Sequence, residues 1–236
     1  MRALAIVHQR DAGPGVFADA MRSQGVELET WMPPEAATPP RDARDCDAVL
    51  VLGGAMHADQ EDDHPWLPEE KALLAGLLED GTPLLGVCLG AQLLAEAAGG
   101  TPRRLPEAEI GWHEVEVSGA GMDDPLLGPL APRFRAFQWH SYECTLPPGA
   151  VALAQSAACM QAYRVGERAW GIQFHAEVSA ADAESWIADY RSDRDAVRIG
   201  LDAEALRAST AEAIGAWNEV GRDLCGRFLA AVAAPA

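Results

Sequence analysis

The stretch Leu84-Leu85-Gly86-Val87-Cys88-Leu89-Gly90-Ala91-Gln92-Leu93 constrains this chain more than any other. Pro83–Val87 is apolar without alternation, as in a strand buried on both faces of a parallel sheet. Ala91–Ala98 reads as a helix, stopped by Gly99-Gly100. Between them stands Gly-x-Cys-x-Gly, the pattern of a sharp strand-to-helix turn that lifts a nucleophile above a sheet edge. Small neighbours keep such a turn free of collisions, and the helix N-terminus behind it favours thiolate over thiol. The same free N–H groups can receive a developing oxyanion. A buried cysteine is ordinarily a small hydrophobe. That reading fits Cys46, Cys144, Cys159 and Cys225, which have no such frame, better than it fits Cys88.

The rest of the chain supplies the sheet this turn needs. Arg2–His8 and Ala48–Leu52 read as buried strands, and Val26, Leu28 and Thr30 alternate as a third. Helices are expected over Val16–Gln24, closed by Gly25, and from Pro68 to Glu79, closed by Gly81. Strand-helix alternation of this kind predicts a doubly wound α/β fold, an open and mostly parallel sheet flanked by helices. In the middle, Val115 and Val117 alternate with glutamates, and short strands are expected near Phe134–Phe137 and Val151–Ala154. Met160–Val165 and Ala169–Phe174 read as a hairpin returning to the core. Helices are expected over Ala180–Tyr190 and Ala203–Ala231. The stripes Trp186, Ile187, Tyr190 and Trp217, Val220, Leu224, Phe228 pack back on the domain or form an oligomer surface. The reading is thus one α/β domain over residues 1–178, with residues 179–236 a helical C-terminal extension packed on it.

Composition narrows the function classes. The formal net charge of −18 over 236 residues repels polyphosphate backbones and anionic membranes, which excludes nucleic-acid partners. The N-terminal apolar run is too short for a signal peptide, and no stretch is long enough to span a membrane. Five scattered cysteines suggest no disulfide framework, so a reduced, cytoplasmic protein is expected.

A nucleophilic cysteine needs a base, and His175 is the favoured one of six histidines. It closes the strand ending Gln173-Phe174, at the carboxyl end where open α/β sheets place their sites. Glu177, two residues on, can face the same side and orient the imidazole. His8, His57, His64, His113 and His140 are weaker candidates. For a metal, His57 with Asp59, Asp62 and His64 is the nearest approach to a ligand set, and a solvated acidic loop explains it better.

Together these residues resemble the class I (triad) glutamine amidotransferases. Gly86–Gln92 is similar to the family's nucleophile motif, and Gln173-Phe174-His175-Ala176-Glu177 to its second motif, usually Phe-His-Pro-Glu. Val51-Leu52-Gly53-Gly54, Glu109-Ile110-Gly111-Trp112 and Gln138-Trp139-His140-Ser141 follow in family order, so the likeness covers about Ala48 to Glu177. The resemblance implies a flavodoxin-like fold and a Cys88-His175-Glu177 triad that opens the side-chain amide of glutamine, with no cofactor. It implies an oxyanion hole of the Gly54 and Leu89 N–H groups, with Gln92, Ser141 and Tyr142 on the substrate. Two departures stand out. Ala176 in place of proline loosens its turn, and Glu143 adds a carboxylate beside the expected substrate clamp. No synthetase domain or P-loop is apparent. The alternatives are a glutaminase subunit with a separate synthetase, a free-standing hydrolase of γ-glutamyl compounds, or a catalytically idle binding module. A homo-oligomer is compatible with each.

Overall fold

The computed structural model describes residues 1–234. Five strands form the parallel half of one sheet: β1 (Arg2–Ile6), β2 (Glu27–Trp31), β3 (Ala48–Val51), β4 (Leu84–Val87) and β9 (Ala169–Ile172). They lie in the order β2-β1-β3-β4-β9, each paired in parallel with its neighbours. β8 (Met160–Val165), β7 (Val151–Gln155), β5 (Pro102–Val117) and β6 (Arg133–Cys144) continue the sheet antiparallel beyond β9.

The pleat sorts side chains by parity. Ala3, Ala5 and Val7 face a core shared with α1 (Gly15–Ser23), α5 (Ala180–Ala188) and α7 (Ala203–Ala233). Leu4 and Ile6, with Val49 and Val51, face α2 (Leu67–Glu79) and α3 (Leu89–Ala97) on the opposite side. Strands buried on both faces cannot alternate in polarity, which is why they read as unbroken apolar runs. Two short helices, α4 (Gly119–Met122) and α6 (Arg194–Arg198), complete the chain.

Three elements differ from the sequence reading. α3 starts at Leu89, directly on Cys88, two residues earlier than expected. β5 and β6 are far longer than the short strands inferred, running 16 and 12 residues. Pro102 and Pro106 and a register break between Arg104 and Glu109 interrupt the period of β5, which hides its length. Ser141 and Tyr142 consequently sit within β6.

The aromatic stripes of the C-terminal helices face inward. Ile187, Trp217, Leu224 and Phe228 join the core beside α1, with Trp186, Tyr190 and Val220 packed against it. Among the described residues, no helix is long and apolar enough to cross a membrane.

Candidate active site

β1, β3, β4 and β9 all point their carboxyl ends at one edge of the sheet, delivering His8, Gly53-Gly54, Cys88 and His175 there. Cys88 has φ 52° and ψ −109°, the one non-glycine with positive φ among the described residues. A side chain held in such a conformation costs on the order of 1–3 kcal/mol, which the surrounding structure must offset. It does so by Cys88 N–H donating to the Ile172 carbonyl at 2.8 Å and Gly90 N–H to the Leu52 carbonyl at 3.1 Å. The framing glycines serve close approach, since neither has positive φ. A β-carbon on Gly86 would lie 2.6 Å from the Gly90 carbonyl oxygen, and one on Gly90 would overlap the Val51 carbonyl.

His175 is buried, and its Nδ1 is 2.7 Å from Glu177 Oε1. Nε2 has no conventional hydrogen-bond partner among the described residues and is left to the Cys88 sulfur. Burial opposes a charged ring, but the negative charges of Glu177 and Cys88 outweigh it and push the His175 pKa up to about 10. Gly53 lies against both partners: a β-carbon there would meet His175 Cε1 at 3.1 Å and Cys88 Cβ at 3.7 Å. Among the described residues, Gly54 N–H has no acceptor, and Leu89 N–H belongs to the first turn of α3, where helical acceptors are lacking.

Gln92 is buried, donating to the Tyr142 carbonyl at 3.0 Å and Gln173 Oε1 at 3.1 Å. The Tyr142 ring stacks on His57 with centroids 4.1 Å apart, and the Arg104 guanidinium lies 5.6 Å over it. Arg104 is also paired with Asp195. Burial would raise the Asp195 pKa, but a Ser141 hydrogen bond with Arg104 and Arg198 holds it below the usual carboxylate range. Glu143 is neutralised by Arg103 at 2.8 Å.

No part of the sequence pattern announced the brace behind His175. The Trp217 indole N–H donates to the His175 carbonyl at 2.7 Å, Asn218 to the Val178 carbonyl at 2.7 Å, and Val16 N–H to the Glu177 carbonyl at 2.8 Å. His175 N–H donates in turn to the Phe137 carbonyl at 2.9 Å, and Trp186 stands edge-on to the imidazole at 4.8 Å. The turn expected to be loose without proline is thus held from α1, β6 and α7. Gly221 of α7 comes so close to the Ala176 carbonyl that a β-carbon would overlap it. Gly221→Ala is expected to lower the melting temperature and to cut turnover roughly tenfold, because shifting α7 displaces His175. Parallel thermal melts and rate measurements check both.

The His57, Asp59, Asp62 and His64 set is not among the groups that bring three ligand atoms together; the His57 ring stacks on Tyr142, and His64 lies tilted against Trp66. Among the described residues, only Glu109, His140 and Cys159 bring three ligand atoms within 4.8 Å. The Gln161 amide donates to two of them, Glu109 Oε2 at 2.8 Å and Cys159 Sγ at 3.3 Å. His140 donates from Nδ1 to the Tyr142 carbonyl at 3.0 Å, and its Nε2 lies 3.2 Å from Glu109, so the cluster reads as a buried polar core. The four other cysteines are buried and free; burial pushes the Cys144 and Cys225 thiols up to about 12 and raises Cys159 as well.

Relatives share this architecture. A glutamine amidotransferase from Thermotoga maritima superposes with a TM-score of 0.88 at 29% identity, covering 99% of both chains. One from Methylobacillus flagellatus gives 0.86 at 26% identity, over 100% of this chain and 96% of that one. In sequence, the glutamine amidotransferase-like protein YfeJ of Salmonella typhimurium is 28% identical over 79% of this chain and 80% of its own length. The matching component of the glutamine-hydrolyzing GMP synthase of Haloarcula marismortui is 34% identical over 68% of this chain and 77% of its own. The family model for class-I glutamine amidotransferases matches residues 15–189, and the chain belongs to that family.

Proposed function

We propose that this chain hydrolyses the side-chain amide of glutamine through a γ-glutamyl thioester on Cys88, releasing ammonia. The observation that carries the reading is the buried Cys88-His175-Glu177 arrangement at a strained turn, where the neighbouring negative charges raise the His175 pKa.

The Cys88 thiolate attacks the carboxamide carbon, and the electrons move onto oxygen. Gly54 and Leu89 N–H groups receive that oxyanion. His175 gives its proton to the departing nitrogen, so ammonia leaves and a thioester remains. Neutral His175 then takes a proton from water, whose oxygen attacks the thioester. Collapse expels the thiolate and leaves glutamate. Glu177 keeps the ring's other nitrogen protonated and aimed throughout. The Haloarcula relative is named as one component of a GMP synthase, and by analogy we assign the ammonia to a separate synthetase protein.

Ammonia release from glutamine, with γ-glutamyl dipeptides turned over at least tenfold more slowly, is the expected result. The reverse preference would replace this reading with a γ-glutamyl peptidase. Within the triad, His175→Ala is expected to cost more turnover than Glu177→Ala, since proton transfer contributes more than orientation. Steady-state kinetics of the two variants measure the difference.

A further inference from the structure

A second buried histidine–carboxylate pair lies behind the triad and takes no part in the chemistry above. His8 follows β1, Glu70 sits in the first turn of α2, and both side chains are wholly buried. Glu70 accepts from His8 Nε2 at 3.0 and 3.1 Å through its two oxygens. His8 Nδ1 faces two further acceptors, the carbonyls of Leu52 at 3.0 Å and Gly53 at 3.2 Å. Carbonyls and carboxylates only accept, so both ring nitrogens must carry protons for these contacts to be hydrogen bonds. Burial works against that charge, yet Glu70 and the two carbonyls outweigh it and raise the His8 pKa.

The Gly53 carbonyl and the Gly54 N–H belong to one peptide unit. In a trans peptide these two groups point in opposite directions. A donor that fixes the Gly53 carbonyl therefore fixes the Gly54 N–H on the other side, away from His8. The need is specific to this segment, because a Gly-Gly peptide has unusual freedom to rotate. Neighbouring contacts complete the clamp: Gly90 N–H shares the Leu52 carbonyl at 3.1 Å, and Gln9 Oε1 accepts from Ala55 N–H at 2.7 Å. Gly54 itself rests on His8, where an added β-carbon would come within 2.9 Å of His8 Cβ.

We infer that His8, held by Glu70, is a positioning residue that orients the Gly53–Gly54 peptide so that the Gly54 N–H meets the oxyanion. This rests on the proposed hydrolysis of glutamine. The two amide replacements of His8 separate positioning from bulk. In His8→Asn the amide nitrogen falls near the place of Nδ1 and can still donate to the carbonyls. In His8→Gln it falls near the place of Nε2, reaching Glu70 but not the carbonyls.

The expected result is a loss in kcat of about 30-fold for His8→Gln, with KM changed less than threefold. That is smaller than deleting an oxyanion donor outright, which costs on the order of 10²–10³. His8→Asn should stay within about fivefold of wild type. The γ-aldehyde analogue of glutamate, whose thiohemiacetal oxygen needs the same donors, should lose affinity in parallel with kcat. Alkylation of Cys88 by iodoacetamide forms no oxyanion and should proceed at the wild-type rate. Equal losses in the Asn and Gln variants, or a kcat loss without loss of aldehyde affinity, overturn the inference. Should His8→Gln fail to fold, Glu70→Gln keeps the shape and should show the same kcat and aldehyde pattern at about fivefold. Wild-type enzyme that leaves glutamine untouched defeats the parent reading and this one with it, whereas active wild type with indifferent variants defeats this one alone.

Discussion

Cys88→Ser is expected to lower glutamine turnover by at least about 10⁴-fold while the melting temperature moves by no more than a few degrees. The replacement changes one atom in a nearly buried position and asks the same unusual backbone of a side chain of similar size. The fold therefore has little reason to respond. The chemistry has every reason. In the proposed mechanism a thiolate attacks, and negative charge at Cys88 is one of the causes that raise the His175 pKa. A serine hydroxyl stays protonated near neutrality, so that cause disappears and the nucleophile must instead be deprotonated during attack. The oxyanion donors alone cannot make up the difference. Ammonia release in a coupled assay, beside circular dichroism of both proteins, measures it. Near-native turnover in Cys88→Ser would remove Cys88 from the mechanism and the thioester with it.

What was legible in the sequence follows distance along the chain. The turn at Gly86, Cys88 and Gly90 can be read because strand, bend and helix fall within ten residues. His175 and Glu177 can be read because a spacing of two at a strand end places them together. The brace around them cannot be read in that way. Trp217 and Asn218 lie about 40 residues beyond the carbonyls they hold, on a helix whose apolar stripe declares only that it packs somewhere. Glu70 illustrates the same limit, since an acidic residue in a first helical turn suggests an exposed face, while contact with His8, 62 positions earlier, buries it. The side chains of Ser141 and Tyr142 engage Asp195, His57 and Arg104; Arg104 lies opposite Tyr142 in the pairing of β5 with β6, whereas Asp195 and His57 come from segments with no local tie to β6.

Two glycine-to-alanine changes should move stability in opposite directions, and the contrast locates the stress that shapes the site. Gly215 lies within α7 with nothing within 4 Å of where a β-carbon would stand. Alanine there removes unfolded-state freedom and is expected to stabilise by roughly 0.5–1 kcal/mol. Gly90 also lies in a helix, so the same propensity gain applies. Its β-carbon, however, would overlap the Val51 carbonyl and meet Val51 Cβ at 3.0 Å. Val51 is pinned in the sheet by its pairing with β1 and β4, so the obstacle cannot rotate away as a flexible side chain could. α3 must separate from β3, which strains the Gly90–Leu52 hydrogen bond and shifts the turn carrying Cys88. A net loss of about 3 kcal/mol or more is expected, at the upper end of overpacking costs because the obstacle is backbone. Denaturant midpoints give the two values, and iodoacetamide labelling of folded Gly90→Ala should show Cys88 reacting more slowly than in wild type. Equal stability in the two variants would mean that the close approach of α3 to β3 is not what sets the nucleophile turn.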